Sequence, residues 1–448
     1  MNNYLLKQFW RNKAYILSLL LLFFAGLMAI YTGKKFLDKN QDIIAKSASY
    51  QKQSIDKTVK YHSGDLGLIL YYIKFNLVNE TPRLSALNIG LRDINPSIQG
   101  VTIRNLEEQR YNSDFYNPAN AAAGNFDLSF VLVFLFPLII IAFCFNLISE
   151  EEESGRWKLL SVQSKDLGKL IDAKMLIRFI AITAVYLLLL IIAKVWVNIP
   201  IDGNFLAFAA LGWLYLSFWF ALCRWIISFR RSSGENALIL LVVWVGMNFI
   251  VPMSSNIIIQ KNYPVNESLE AVMEQREGYH TKWDEAKKPT MDRFYKVYPQ
   301  YKNYKVEETA SSSWVWYYAM QHMGDLESSR SSVNYRQKMK MRNEAASLLG
   351  YIFPNIQLQM ATSALAKTGM ENHLEFAEGL RAFHEKKRLS FYTPIFSGAL
   401  SQTIDWNALK VEYFETSDRI DLLKMFLPII SLIFLLLILS QVKYRKLC

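Results

Sequence analysis

The sequence predicts a polytopic α-helical membrane protein. It is expected to have six transmembrane helices, one small mixed α/β extracytoplasmic domain and one larger, mainly α-helical extracytoplasmic domain. Three observations predict this class. Of 448 residues, 52% are hydrophobic and only 20% charged, which is poor in charge for a soluble chain of this length. The apolar residues come in blocks long enough to cross a bilayer, for which a helix needs ~20 residues. The lysines and arginines behind the net charge of +11 gather beside those blocks, a pattern of membrane orientation before one of nucleic-acid binding.

Residues 1–32 open with Leu5, Leu6, Phe9 and Trp10 among Lys7, Arg11 and Lys13, the mixture of an interfacial helix. The first span follows at 14–32. It is long for the apolar core of a signal peptide, and Tyr31-Thr32-Gly33-Lys34-Lys35 offers no small-x-small cleavage site, so it is expected to be retained. Residues 33–127 form the first extracytoplasmic domain, with a polar helical start (Asp38 to Lys60) and a strand-like Gly100-Val101-Thr102-Ile103-Arg104. Asn95-Pro96 and Asn117-Pro118 supply turn signals.

Residues 128–253 hold four spans, at 128–148, 172–197, 205–229 and 237–253, the last being short. Lys174, Arg178 and Lys194 flank the third and are expected to snorkel. Between the second and third spans lies 149–171, where Glu150 to Glu153 and a Ser154-Gly155 turn precede an amphipathic stretch. In that stretch Trp157, Leu159, Leu160 and Val162 alternate with Arg156, Lys158, Lys165 and Lys169. Residues 254–421 form the second, mainly helical domain: one or two long helices from Val306 to Leu349, then a helix from about Asn355 to Lys386 broken near Lys367-Thr368-Gly369. The sixth span, at 422–440, and a basic tail complete residues 422–448.

Orientation follows from the short flanks. With the N-terminus inside, the inner pieces carry Lys7, Arg11, Lys13; Arg156, Lys158, Lys165, Lys169; Arg230, Arg231; and Lys443, Arg445, Lys446. The short outer loop Asn198 to Asn204 has none. The positive-inside rule therefore sets both termini in the cytoplasm, across the inner (cytoplasmic) membrane.

No catalytic, cofactor-binding or metal-ligating set is apparent. The chain lacks G-x-x-x-x-G-K-[ST] and G-x-S-x-G, and His384-Glu385 has no second histidine at zinc spacing. His62, His280, His322, His373 and His384 read as surface or packing residues, with only His373 and His384 placed to meet on a helical hairpin. Cys144 and Cys223 fall inside apolar blocks and read as inert thiols. Trp314-Val315-Trp316-Tyr317-Tyr318 lacks a basic stripe, so it reads as packing or membrane-surface contact rather than a nucleic-acid platform. The spans carry no charge at mid-depth, so energy for any transport is expected to come from outside this chain.

Glu151-Glu152-Glu153-Ser154-Gly155-Arg156-Trp157-Lys158-Leu159-Leu160-Ser161, lying between two spans, resembles the E-x-E-S-G-T-L-x-L-L-L-S stretch of ABC-2-type transporter permeases. Arg156 and Trp157 stand where that family has threonine and leucine. Thr81-Pro82-Arg83-Leu84-Ser85-Ala86-Leu87-Asn88-Ile89-Gly90 resembles the P-x-x-L-A-A-L-x-x-G segment of a subgroup with large extracytoplasmic inserts. Pro354 to Gly369, including Gln359 and Thr368, then His373 and Phe376, resembles its P-x-x-x-x-Q-x-x-x-x-x-L-A-G-T-D…H-x-x-F segment, with Lys367 and Gly369 replacing glycine and aspartate. Arg231-Ser232-Ser233, Trp244 and Pro252 also fit that subgroup.

The resemblance implies a permease subunit that exports or extracts a substrate, without catalytic residues or cofactor of its own. It implies an ABC ATPase subunit holding ATP and magnesium, and a second permease copy or a related permease. Membrane lipid and an extracytoplasmic protein are further partners of these readings, and nucleic acid is not one. Glu151, Glu153, Ser154, Gly155, Arg156, Trp157, Leu159 and Leu160 become coupling residues. Glu151 and Glu153 then face basic residues of the ATPase or cap the amphipathic helix, while Glu150 is a solvated charge. An alternative is a non-transporting complex that uses ATPase motion to act mechanically on an extracytoplasmic partner.

Overall fold

The structure is a computed structural model that describes residues 2–111, 124–157, 162, 167–265, 267–309, 313–416 and 421–444. Among these residues six helices are long and apolar enough to cross a membrane.

The N-terminal α1 (Asn2–Arg11) is amphipathic as expected, with Leu5 and Phe9 buried and Leu6, Lys7 and Trp10 exposed. Asn12 then caps α2, accepting a hydrogen bond from the Ala14 N–H at 3.0 Å. The first span and the polar helix after it are one unbroken helix, α2 (Lys13–Tyr61), 49 residues long. Nothing between 32 and 38 stops a helix: there is no proline, and a lone Gly33 costs too little to break it.

After α3 (Leu66–Tyr72) come β1 (Phe75–Val78) and β2 (Ile98–Val101). The next helices long and apolar enough to serve as spans are α4 (Leu128–Glu153), α5 (Leu167–Val197), α6 (Gly203–Ile227) and α7 (Ser233–Asn262). The fifth is longer than its apolar block suggests because Ser232 and Glu235 form a capping box that starts it early. It also continues past Pro252. Pro252 and Pro137 each follow one turn of π-helix, Gly246–Ile250 and Val131–Leu135, where the ladder already shifts.

The carbonyls of these π-turns are claimed by side chains. Tyr215 donates to the Val133 oxygen at 3.2 Å, Trp244 Nε1 donates to Phe134 at 3.2 Å, and Asn355 donates to Met247. In a water-poor bundle such partners replace the missing backbone bonds. α4 and α6 are its central helices: 61% and 67% of their most apolar stretches are buried, against 17% for the fifth and sixth spans.

The remaining chain comprises α8 (Glu267–Asp284), α9 (Lys287–Val297), α10 (Trp314–Gly350), α11 (Pro354–Leu365), α12 (Met370–Phe396), β3 (Glu412–Tyr413) and α13 (Leu422–Tyr444). The expected break falls between α11 and α12, at Lys367 with φ 54°. The two outer segments share one sheet and one core. β1 is the centre of a three-stranded sheet, antiparallel to β2 (Phe75↔Val101) and parallel to β3 (Leu77↔Glu412). One core joins Ile69, Phe75 and Val101 of the first segment to Phe294, Tyr318 and Phe391 of the second. Through this shared core the two segments close on each other into a single head.

That head also buries charge. Arg388 and Asp325 form a buried ion pair, and Asp325 accepts from the Leu106 N–H at 2.9 Å. His322 lies between Tyr298 and Tyr392, whose hydroxyls sit 3.0 and 3.1 Å from its ring nitrogens. The hairpin meeting of His373 and His384 does not occur, since both lie on α12; His384 is buried beside Arg388. Trp316 and Tyr318 are core residues, consistent with the packing reading.

Candidate functional sites at the two ends of the bundle

The first site is where head and spans meet. The two outer family-like segments, far apart in sequence, are in direct contact. Leu91 N–H donates to the Thr368 carbonyl at 2.8 Å, and Asn88 Nδ2 donates to Thr362 Oγ1 at 2.8 Å. Arg92, buried, donates to the carbonyls of Lys367, Asn79 and Glu80 and to Asn79 Oδ1 at 2.9–3.1 Å. Burial lowers its pKa to about 10, so it remains charged at neutral pH.

The predicted residues take distinct parts here. Pro82 starts a tight turn whose Ser85 N–H returns to its carbonyl at 3.0 Å, and Leu84 packs into the bundle core. Gly90 lies against buried Thr368. Pro354 begins α11, whose Leu358, Ala361 and Leu365 insert into the bundle core, fastening head to spans. Gln359 is exposed on the cleft described below. His373 is half-buried, and Phe376 packs edge-on to Phe414 with ring centroids 5.6 Å apart. Where the resembled segment carries glycine, Lys367 holds the left-handed conformation, and its amine donates to Thr416 Oγ1 at 2.7 Å.

A cleft of about 900 Å³ opens at this junction. Its walls are the Asn88–Ile94 turn, the α11–α12 corner and the first turns of α4 and α13. Asp127 supports it from below, accepting from the Ile89 and Phe130 N–H groups at 2.8 Å each. Burial pushes its carboxyl up to about 6. Sequence reading missed this cleft; the signal was present only as two motifs with no indication that they touch.

The second site is the acidic turn at the other end. Glu151 is buried, accepting from Lys174 Nζ at 2.6 Å and Arg156 Nε at 2.8 Å. Glu152 pairs with Arg230, whose guanidinium also stacks over the half-buried Trp157 ring at 5.0 Å. Glu153 accepts from Ser233 N–H at 2.8 Å and Ser233 Oγ at 3.0 Å, capping the start of α7.

Within this chain Glu151 and Glu153 face Lys174, Arg156 and Ser233. Lys174 turns onto Glu151, and Arg178 donates to Tyr15 at 3.2 Å. Glu150 is exposed, lies 3.6 Å from Arg156 and accepts from Asn146 Nδ2 at 2.9 Å. Ser154 and Gly155 make the exposed turn, Gly155 with φ 71°. Val162 is 86% exposed. Leu159 and Leu160 lie outside the described residues, as does most of the amphipathic stretch.

Among the described residues no group of His, Cys, Asp and Glu side chains is arranged to hold a metal ion. A family model described as "Domain of unknown function (DUF3526)" matches residues 269–413, from α8 to β3. No curated protein and no solved structure matches the chain significantly.

Proposed function

We propose that this chain is the membrane subunit of an ATP-driven transporter that exports or extracts a substrate. A separate ABC ATPase, binding ATP and magnesium, would dock on 149–171, and two copies or two related permeases would form the path. In this reading the six spans cross the inner membrane with both termini cytoplasmic and the head outside.

The observation that carries it is the acidic turn. Through Glu151, Glu152 and Glu153 one short segment grips α5, the 228–232 loop and the start of α7. A push on its exposed face would move the ends of the second, third and fifth spans together. At the far end of the same helices, the π-turns of α4 and α7 lie side by side, joined by Trp244 and Phe134. Such turns are places where a span changes its packing.

A mechanical role without solute transport is the second reading. It is favoured by α2, which runs without a break from span into head, and by the single core that makes the head one body.

Co-purification with the ATPases of the same cell tests the coupling. Val162→Asp and Ser154→Arg alter exposed positions and leave the internal clamps intact. Loss of ATPase association in a normally folded variant is the expected result. An ATPase that stays bound with unchanged turnover, or none that binds the parent chain, refutes it.

A further inference from the structure

We propose that the N-terminal helix α1 is a docking site for anionic phospholipid, holding phosphate headgroups of the leaflet at its end of the bundle. Its residues fall into three pairs, each spaced four apart and so sharing a face. Leu5 and Phe9 are buried against the bundle, Leu6 and Trp10 are exposed, and Lys7 and Arg11 are exposed cations. At about 100° per residue, the cationic pair lies nearly opposite the buried pair, with the exposed apolar pair between them.

The helix is fixed in this attitude. Phe9 stacks on Tyr15 at 5.2 Å and meets Phe143 of α4 edge-on at 6.0 Å, while Arg178 of α5 donates to the Tyr15 hydroxyl. Only Asn12 separates α1 from α2, the first span. In a membrane α1 therefore lies at the depth of the headgroups, with Leu6 and Trp10 against the acyl chains.

Charge decides the kind of lipid. Lys13 adds a third exposed cation, and the first acidic residue of the chain is Asp38, beyond the apolar block of the first span. Carboxylates at this end of the bundle are engaged with other cations: Glu151 with Lys174 and Arg156, Glu152 with Arg230, and Asp172 with Arg224. A zwitterionic headgroup brings its own ammonium to such a face, whereas an anionic one brings only the complementary charge. The site rests on the spans crossing a membrane; it makes no use of an ATPase.

The full chain in neutral detergent, with no ATPase present, is titrated with dioleoyl phosphatidylglycerol and, separately, with dioleoyl phosphatidylcholine. Native mass spectrometry counts the bound lipid. Phosphatidylglycerol should bind about tenfold more tightly. Lys7→Gln with Arg11→Gln and Lys13→Gln should abolish that preference. Arg231→Gln with Lys443→Gln removes exposed cations of the same end that lie over Phe229 instead, and should keep it. Leu6→Ser with Trp10→Ser should weaken both lipids equally. Far-UV circular dichroism and thermal melting establish that each variant is folded. Equal affinity of the folded parent for both lipids, a preference unchanged in the α1 charge variant or lost equally in the Arg231/Lys443 variant, or binding unchanged in the Leu6/Trp10 variant overturns the proposal. The ATPase reading is tested separately, by co-purification, so the two fail independently.

Discussion

Gly90 and Thr368 are packed so closely that no side chain fits between them. A Cβ on Gly90 would lie 2.6 Å from Thr368 Oγ1 and 2.7 Å from its carbonyl oxygen, and φ at Gly90 is 54°. The contact locks the first outer segment to the α11–α12 corner and shapes the cleft. Gly90→Ala is therefore expected to strain both backbone and contact, destabilising the chain by about 1–3 kcal/mol or more. Thermal melting of the purified chain reads this, and an unchanged Tm would show that the corner yields freely.

The head depends on a buried ion pair that sequence inspection does not single out. Asp325→Ala would leave buried Arg388 with only the more distant Glu385 carboxylate, 3.8 Å away, and would free the Leu106 N–H as well. The expected loss is about 3–5 kcal/mol. Denaturant unfolding followed by tryptophan fluorescence should report it, while a replacement of both partners by apolar residues of similar volume should cost much less.

Stability should also depend on pH, with a calculable sign. Burial first, and then Arg388, hold His322 and His384 well below the usual imidazole value. The Glu385 carboxylate, 3.6 Å from His322, pulls the other way and is outweighed. Below about pH 6.5 the unfolded chain takes up these protons and the folded chain does not, so acidification destabilises. Asp127 opposes this: with its pKa raised to about 6, its contribution is present at low pH and is lost as pH rises through that value. The difference between parent and His322→Gln/His384→Gln isolates the histidines. The fall in Tm between about pH 7.5 and about pH 5 should be smaller in the double variant; an identical fall would mean that the histidines are not the source.

At the other end, Glu151 should be coupled energetically to Lys174. Glu151→Gln leaves a largely buried ammonium without its carboxylate, an expected cost of about 1–3 kcal/mol. The exposed Arg156 should add little. A double-mutant cycle with Lys174→Met measures the pair directly, and additive single effects would show that the two charges do not act on each other.

The sequence by itself determined what periodicity and composition control. Uninterrupted apolar blocks specify six helices long enough to span, because a backbone in hydrocarbon must satisfy its own hydrogen bonds within a helix. The amphipathic start at Leu5 and Phe9, the long helix of 314–350 and the break at Lys367 were legible for the same local reasons. The family-like segments were legible as strings of residues, but not as neighbours.

Only the tertiary structure decided which distant groups meet. Glu151 reads as a surface acid until Lys174, 23 residues on at the start of the next helix, is brought to 2.6 Å. β1 has no partner in its own segment beyond β2, and takes β3 from more than three hundred residues later. Pairing of charges, sharing of a core and the opening of a cleft between two corners are long-range events. Their energy depends on burial and distance, neither of which is written in the order of residues along the chain.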